Sequence, residues 1–318
     1  MIVSDKKKII LATILSGFFI LLFLVIGLNS SNYKYLLSKR LPKVLAIIIT
    51  GVSIAISSTI FQTITNNRIL TPSVLGLDSL YILIQTLVIF VFGSTSKLIV
   101  NRNINFLFTV LIMILFSKIL FKTLFNKEKN NILNLLLIGL ILRTLFQSLS
   151  SFMQMIIDPN EFLHVQDKMF ASFNNINTNI LLLSTVIITL IVIYIFQYVK
   201  ELDILLLGRD HAINLGIDYE HFVHKSLLIV SILVSISTAL VGPITFLGLL
   251  VVNLSRELLN TFEHKYLIIT SSLVSILALI GGQLLVERVF NFSTPISVII
   301  NFVGGVYFIN LLLKESES

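Results

Sequence analysis

Nine long apolar stretches decide what this chain can fold into. Eight have the length of one membrane crossing: Ile9–Leu28, Val44–Ile64, Val74–Gly93, Ile104–Phe121, Ile132–Ile157, Ile180–Val199, Tyr266–Val286 and Ile296–Leu313. About 20 helical residues cross a hydrocarbon core of ~30 Å. The ninth stretch, Ser226–Leu259, has 34 residues. At ~1.5 Å per residue a single helix of that length would reach about 51 Å, too long for one crossing. Gly242-Pro243 sits near its middle, where a helix breaks or kinks, so the stretch is expected to divide into two short spans. In lipid only helices and closed barrels satisfy their own backbone, and runs of this length belong to helices. The expected fold is therefore all-α and polytopic, with ten transmembrane helices and both termini on one side.

Composition agrees. Hydrophobic residues make up 56% of the 318 and charged residues 12%, about half the charge of an ordinary soluble domain. A soluble enzyme, a disordered chain and a disulfide scaffold are excluded. With no cysteine, thiolate metal sites and a cysteine nucleophile are excluded as well. The net charge of +7 is dispersed in short stretches between apolar runs, as for loops beside anionic lipid, and no nucleic-acid stripe forms. Lys6–Lys8 ahead of the first run resemble a signal-peptide start, but the run is long and no small-residue cleavage site follows, so a retained first helix is expected. With the N-terminus inside, 14 Lys and Arg fall on inner segments and 8 on outer ones, with Arg143 inside a span. The excess favours N-in, C-in. Four positive charges nevertheless crowd the first outer loop between Lys34 and Lys43, either for lipid headgroups or for an acidic partner docking from outside.

The whole chain, 1–318, reads as one transmembrane permease domain without linkers or a soluble domain. Two connections are long: an outer loop at about 158–179 and an inner segment at about 200–225. Within the fifth run, Arg143, Gln147, Ser150 and Gln154 repeat at i, i+4, i+7 and i+11, one face of a helix. A charge in the bilayer costs about 2.5–3.5 kcal/mol on insertion scales, so Arg143 should face protein or water. The stripe is expected to line a pathway. The competing reading is a hydrogen-bonded seam between helices with Arg143 paired to Asp78. His221 and His224, after Glu220, sit at a membrane boundary without a third well-placed ligand, and no metal site is expected.

Several stretches resemble the ABC importer permeases of the iron-siderophore and cobalamin family. Asp203–Ile217 contains Leu205-Leu206-Leu207-Gly208-Arg209-Asp210-His211-Ala212-Ile213-Asn214-Leu215-Gly216 and is similar to the family's coupling-helix region. Arg209–Leu215 suffices for two helical turns, and Gly216 suits the left-handed position that ends one. Arg40-Leu41-Pro42-Lys43 resembles the family's RLPR. Gln62 with Asn66-Asn67 and Leu70-Thr71-Pro72-Ser73-Val74-Leu75-Gly76 resembles its Q…RNPLxxPxxLG stretch. Gly242-Pro243-Ile244-Thr245-Phe246-Leu247-Gly248 resembles GPIxFxG, with Arg256 at the closing Arg. Val252-Asn253 stand where the family has Pro-His, and Gly281–Phe292 replaces its usual acidic pattern. These features look closest to the branch that takes up catecholate-type siderophores; cobalamin and haem importers of the same family are the alternatives.

The resemblance implies a type II ABC importer permease in a bacterial cytoplasmic membrane. It would pair with a second permease copy or paralogue, an ATPase subunit dimer inside and an extracytoplasmic siderophore-binding protein outside. The chain has no GxxxxGK[ST] phosphate loop, so it is expected to be no enzyme and to carry no cofactor, with ATP and Mg in the ATPase. Gly208, Arg209, Asp210, Ala212, Leu215 and Gly216 are the implied ATPase-coupling residues. Arg40, Lys43 and Arg288 are the implied docking residues for the binding protein, and Asp78, Arg143, Gln147, Ser150 and Gln154 are expected to line the pathway. Lys168–Asn175 resembles the family's WxxGSL helix at the entrance. Richness in Ile, Asn and Lys without Trp points to an AT-rich genome such as that of a low-GC Gram-positive bacterium, where the binding protein would be lipid-anchored. The main rival is an ion-coupled secondary transporter, which has no use for the Gly208–Gly216 segment. A structural or receptor protein would bind without transporting. A protease would need a catalytic constellation, and no HExxH or intramembrane His is present.

Overall fold

The computed structural model describes residues 2–29, 32–125 and 132–316. The charges expected at Lys127 and Lys129 lie outside them. Every regular element among the described residues is a helix. Eight helices are long and apolar enough to cross a membrane: α1 (Ile2–Val25), α2 (Tyr33–Ile64), α5 (Arg102–Phe125), α6 (Ile132–Ile156), α8 (Thr178–Gln197), α11 (Tyr219–Val241), α13 (His264–Arg288) and α14 (Ile296–Ser316). Between them come α3 (Leu77–Phe92), α4 (Lys97–Val100), α7 (Pro159–Met169), α9 (Val199–Leu205), α10 (Arg209–Asn214) and α12 (Leu247–Leu258). Each expected apolar run forms a helix; α3, with 16 residues, and α12, with 12, are shorter than a usual crossing.

The long apolar stretch divides where expected. α11 ends at Val241, Gly242 takes φ +100, and α12 begins at Leu247. The break has a packing cause. A Cβ on Gly242 would lie 2.9 Å from Ala171 Cα and from Phe170 O, so the chain at 170–173 occupies the space a side chain would need. That segment is fixed there: Ser172 N donates to Val241 O (2.8 Å) and Ala171 N to Ser297 Oγ (3.1 Å). Ala171 and Phe173 are fully buried. The entrance helix expected over 168–175 is thus corrected: α7 stops at Met169, because its successors bond sideways to α11 and α14.

α2, α11 and α13 bury most of their length and form the centre, while α1, α6, α8 and α14 expose broad apolar faces. Small residues let the central helices approach: a Cβ on Gly51 of α2 would meet Ser275 Oγ of α13 at 3.1 Å. Several buried hydroxyls bond within their own helix. Thr59 donates to Ala55 O, Thr63 to Thr59 O, Ser231 to Leu227 O and Ser255 to Val251 O, at 2.7–3.0 Å. Contacts between the central helices are therefore mainly packing.

At the end of the bundle that carries the N-terminus, Lys8 Nζ donates to Leu258 O (2.7 Å) and Asn260 N to Asp5 Oδ1 (3.0 Å). There Asp203 Oδ1 lies 2.7 Å from both His264 N and His264 Nδ1, while His264 Nε2 meets Thr63 Oγ1 at 2.7 Å. This chain of bonds ties α9 and α13 to the end of α2.

Candidate functional site

At the opposite end, the three expected docking residues are brought together around the end of α1. Arg40 Nη1 donates to Leu24 O (2.9 Å) and Ile26 O (2.6 Å), with its guanidinium 5.6 Å from the Phe23 ring centroid. Arg288 Nη2 donates to the same Ile26 O at 3.1 Å. These bonds satisfy carbonyls that a helix end leaves without partners. Lys43 forms an ion pair with Glu287 Oε1 at 2.9 Å, with side chains only 16% and 9% exposed, and also donates to Asn174 Oδ1 (3.1 Å). Gln283 Nε2 donates to both Asn174 Oδ1 and Glu287 Oε1, at 3.0 Å each. Glu287 and Gln283 were not foreseen. Their i, i+4 spacing was the available signal, but a partner across 244 residues leaves no trace in a single sequence.

Lys168 lies on α7 at this end. Burial and, secondarily, the nearby Arg102 push its ammonium below the usual lysine range, and Asp167 offsets part of that.

In the middle, Asp78 opens α3 just after the short 3-10 helix Pro72–Leu75. Its carboxylate accepts from Ser73 Oγ (2.7 Å) and from Thr238 Oγ1 of α11 (3.3 Å). It therefore joins the connection after α2 to the helix that ends at the Gly242 break. Ser57, Ser58, Ser237 and Thr245 complete the lining of a cavity of about 20 Å³ beside it, room for one water. Among the described residues, ion pairs within 4 Å are Lys43–Glu287, Arg209–Glu220 and His264–Asp203. Asp78 is held by hydroxyls, and the alternative pairing with Arg143 does not form.

The α6 stripe divides. Arg143 is half-buried, its backbone pressed against the turn at Gly76, where a Cβ would come within 3.1 Å of Arg143 N and Cα. Gln147 is exposed. Ser150 is buried and donates to Phe146 O (2.8 Å), and Gln154 Nε2 donates to Thr86 Oγ1 of α3 at 3.3 Å. One end of the stripe is thus a seam with α3, and the other faces outward from this chain.

At the N-terminal end, α10 is a short exposed helix between two glycines. Gly208 precedes it at φ +95 and Gly216 follows at φ +86. Gly216 N donates to Ile213 O (2.9 Å) and Ile217 N to Ala212 O (3.1 Å), the paired closing bonds of a Schellman motif. Ala212 is fully buried against the body, while Leu207, Ile213 and Leu215 are 57%, 45% and 59% exposed. Arg209 and Asp210 are exposed beside them, and Arg209 lies 3.6 Å from Glu220. An anchored helix with outward apolar and charged side chains can receive a partner there.

A bundle of apolar helices, with a short helix broken out of a long one and a solvent-facing helix fixed at one end, defines a polytopic membrane permease rather than an enzyme. The FecCD transport family model matches residues 2–314, and the chain belongs to that family. It is 60% identical over 314 residues to the petrobactin import system permease protein YclO of Bacillus subtilis (strain 168), covering 99% of each chain. It is 35% identical over 290 residues to the petrobactin import system permease protein FatC of Bacillus anthracis, covering 91% of this chain and 82% of that one. A solved metal-chelate type ABC transporter in an inward-facing conformation superposes with a TM-score of 0.81 at 26% identity, covering 98% of this chain and 100% of that one.

Proposed function

We propose that this chain is the transmembrane permease subunit of an ATP-driven importer that carries a ferric siderophore of the catecholate type into the cytoplasm. The observation that carries the reading is the 60% identity along nearly the whole of both chains to a petrobactin import permease. Ten crossings, with α3 and α12 as the two short ones, and an N-in, C-in orientation complete the proposal. In support, α1 begins beside Leu258 and Asn260, at the bundle end that carries α10, and the excess of Lys and Arg assigns that end to the cytoplasm.

In this reading the whole chain is one permease domain, and the segment at about 200–225 is its coupling element. An ATPase dimer engages α10 through Arg209, Asp210 and the exposed Leu215, while Ala212 and the glycines at 208 and 216 hold the helix in place. ATP and Mg belong to that ATPase, and this chain contributes no cofactor. A lipid-anchored binding protein docks on the opposite face, guided by Arg40, Lys43 and Arg288; complementary charge there sets encounter and orientation. A second permease copy or paralogue covers the outward face of α6. Arg143 and Gln147 then line the pathway for an anionic cargo, with Asp78 tempering the positive potential.

The test is uptake of radio-iron as ferric petrobactin by iron-starved cells, in deletion and complemented strains, with labelled cobalamin and haem alongside. Loss of the petrobactin signal alone, restored by complementation and abolished by ATP depletion, is expected. Loss of another substrate instead would discard the cargo assignment. Uptake that survives ATP depletion and collapses with the proton gradient would make this a secondary transporter.

A further inference from the structure

The largest cavity described, about 890 Å³, lies at the N-terminal end of the bundle, between the turn after α2, the end of α9 and the connection from α12 to α13. It borders the coupling segment at Asp203, Leu206 and Leu207, but its polar groups have no role in the coupling or docking described above. Its lining contains two guanidiniums, Arg68 and Arg256. Asn253 ties their two segments together: its Nδ2 donates to the main-chain Arg68 O at 2.9 Å, and Arg256 follows three residues later on the same face of α12. Two cations placed together need an anion. Two carboxylates also line the cavity, Asp203 and Glu263. Among the described residues neither comes within 4 Å of a guanidinium nitrogen, and Asp203 is occupied by His264.

Gln62 supplies the second observation. It lies on the last turn of α2, lines the cavity and is 1% exposed. Among the described residues neither its Oε1 nor its Nε2 has a hydrogen-bond partner, and the buried Arg256 Nε also lacks an acceptor. A buried amide without partners costs about 1–3 kcal/mol, so a chain that keeps one on the lining of this cavity has a use for its donor. The remaining lining is amphipathic: Asn66, Asn67 and Asn260 share it with Leu206, Leu207 and Phe262.

We infer that this cavity is a binding site for an anionic phosphate, held by Arg68, Arg256 and the Gln62 amide. Guanidinium forks suit phosphate oxygens, which accept several charge-assisted bonds at once. The space exceeds that of a bare phosphate, and the leucines beside the donors fit the glycerol and first acyl carbons of an anionic phospholipid. The same oxyanion chemistry is offered by free inorganic phosphate, and the experiment separates the two.

The detergent-solubilised permease is titrated with phosphatidylglycerol, phosphatidylcholine and inorganic phosphate, and bound species are counted by native mass spectrometry. Phosphatidylglycerol is expected to be retained over phosphatidylcholine. Arg256→Gln and Arg68→Gln should each weaken that retention about tenfold, or about 1.4 kcal/mol. Arg68 is exposed, so its replacement leaves folding intact. Gln62→Leu should weaken retention without lowering thermal stability, since it removes an unpartnered buried amide. Displacement of the lipid by inorganic phosphate, with the same sensitivity to both arginines, identifies free phosphate as the source and keeps the site. Equal retention of the two lipids, or adducts indifferent to both arginine substitutions, overturns the inference.

Discussion

Gly242→Ala isolates a close approach of backbone to backbone at a residue of positive φ. Gly242 sits at φ +100, and a Cβ there would come within 2.9 Å of Ala171 Cα and Phe170 O. With ψ +172 as well, its backbone lies in a region essentially reserved for glycine, at a cost to other residues of about 1–3 kcal/mol. The overlap cannot be relieved by a rotamer change, because the obstructing atoms are backbone. Nor can that backbone withdraw freely, with Ser172 N bonded to Val241 O and Ala171 N to Ser297 Oγ. Overpacking of this kind adds about 1–3 kcal/mol, for a total of about 2–6 kcal/mol. Gly216→Ala is the reference: φ is +86, but a Cβ there meets nothing within 4 Å, so only the strain of about 1–2 kcal/mol applies. The assay is recovery of monodisperse detergent-solubilised protein after heating, read by size-exclusion chromatography. At roughly 2 °C per kcal/mol for a chain of this size, Gly242→Ala should melt about 4–12 °C below the parent and Gly216→Ala about 2–4 °C below it. If Gly242→Ala loses no more than Gly216→Ala, the segment at 170–173 yields, and the explanation of the helix break by close packing is wrong.

The other predictions concern single side chains. Lys43→Glu should destabilise the protein by about 3–5 kcal/mol, because it leaves Glu287 beside a like charge in a mostly buried place; adding Glu287→Lys should restore most of the loss in the same heating assay. Leu215→Asp should abolish co-purification of the ATPase and leave membrane insertion and heat resistance unchanged, since Leu215 is 59% exposed in this chain. Arg143→Ala should cut uptake of ferric petrobactin at least several-fold, and unchanged uptake with normal insertion would end its assignment to the pathway. Lys168→Met should raise heat resistance at neutral pH. Burial lowers the folded-state pKa of Lys168, so the cost of charging it is present below that pKa and fades as pH rises toward the unfolded value. The gain from Lys168→Met should therefore shrink as the assay is moved to pH 10, and a gain constant with pH would contradict it.

Much of the fold was legible because the bilayer imposes its own length scale. Each expected run forms a helix, and Gly242-Pro243 marked the break correctly, since a helix of 34 residues had nowhere to go. The ends of α10 were legible too, because Gly216 takes the left-handed φ a helix stop requires. What escaped was whatever depends on contacts distant in sequence. Arg40, expected as a docking charge, also closes α1 through backbone carbonyls, a role that no sequence pattern displays. Asp78 looked like a partner for Arg143, but hydroxyls from two other segments reach it first. The extended chain after Met169 resembled a helix, and it is straightened by bonds to Val241 and Ser297 that only the folded bundle supplies.

The hydroxyls that bond back to their own helices have a mechanical consequence. Because Ser231 and Ser255 spend their donors locally, sliding α11 or α12 along α2 need not break a polar bond that those side chains hold. Small residues then act as smooth bearings, and the cost of shear is repacking alone. Asp78 is different in kind. Its bond to Thr238 crosses from α3 to α11, so it works as a latch between two segments that would otherwise glide.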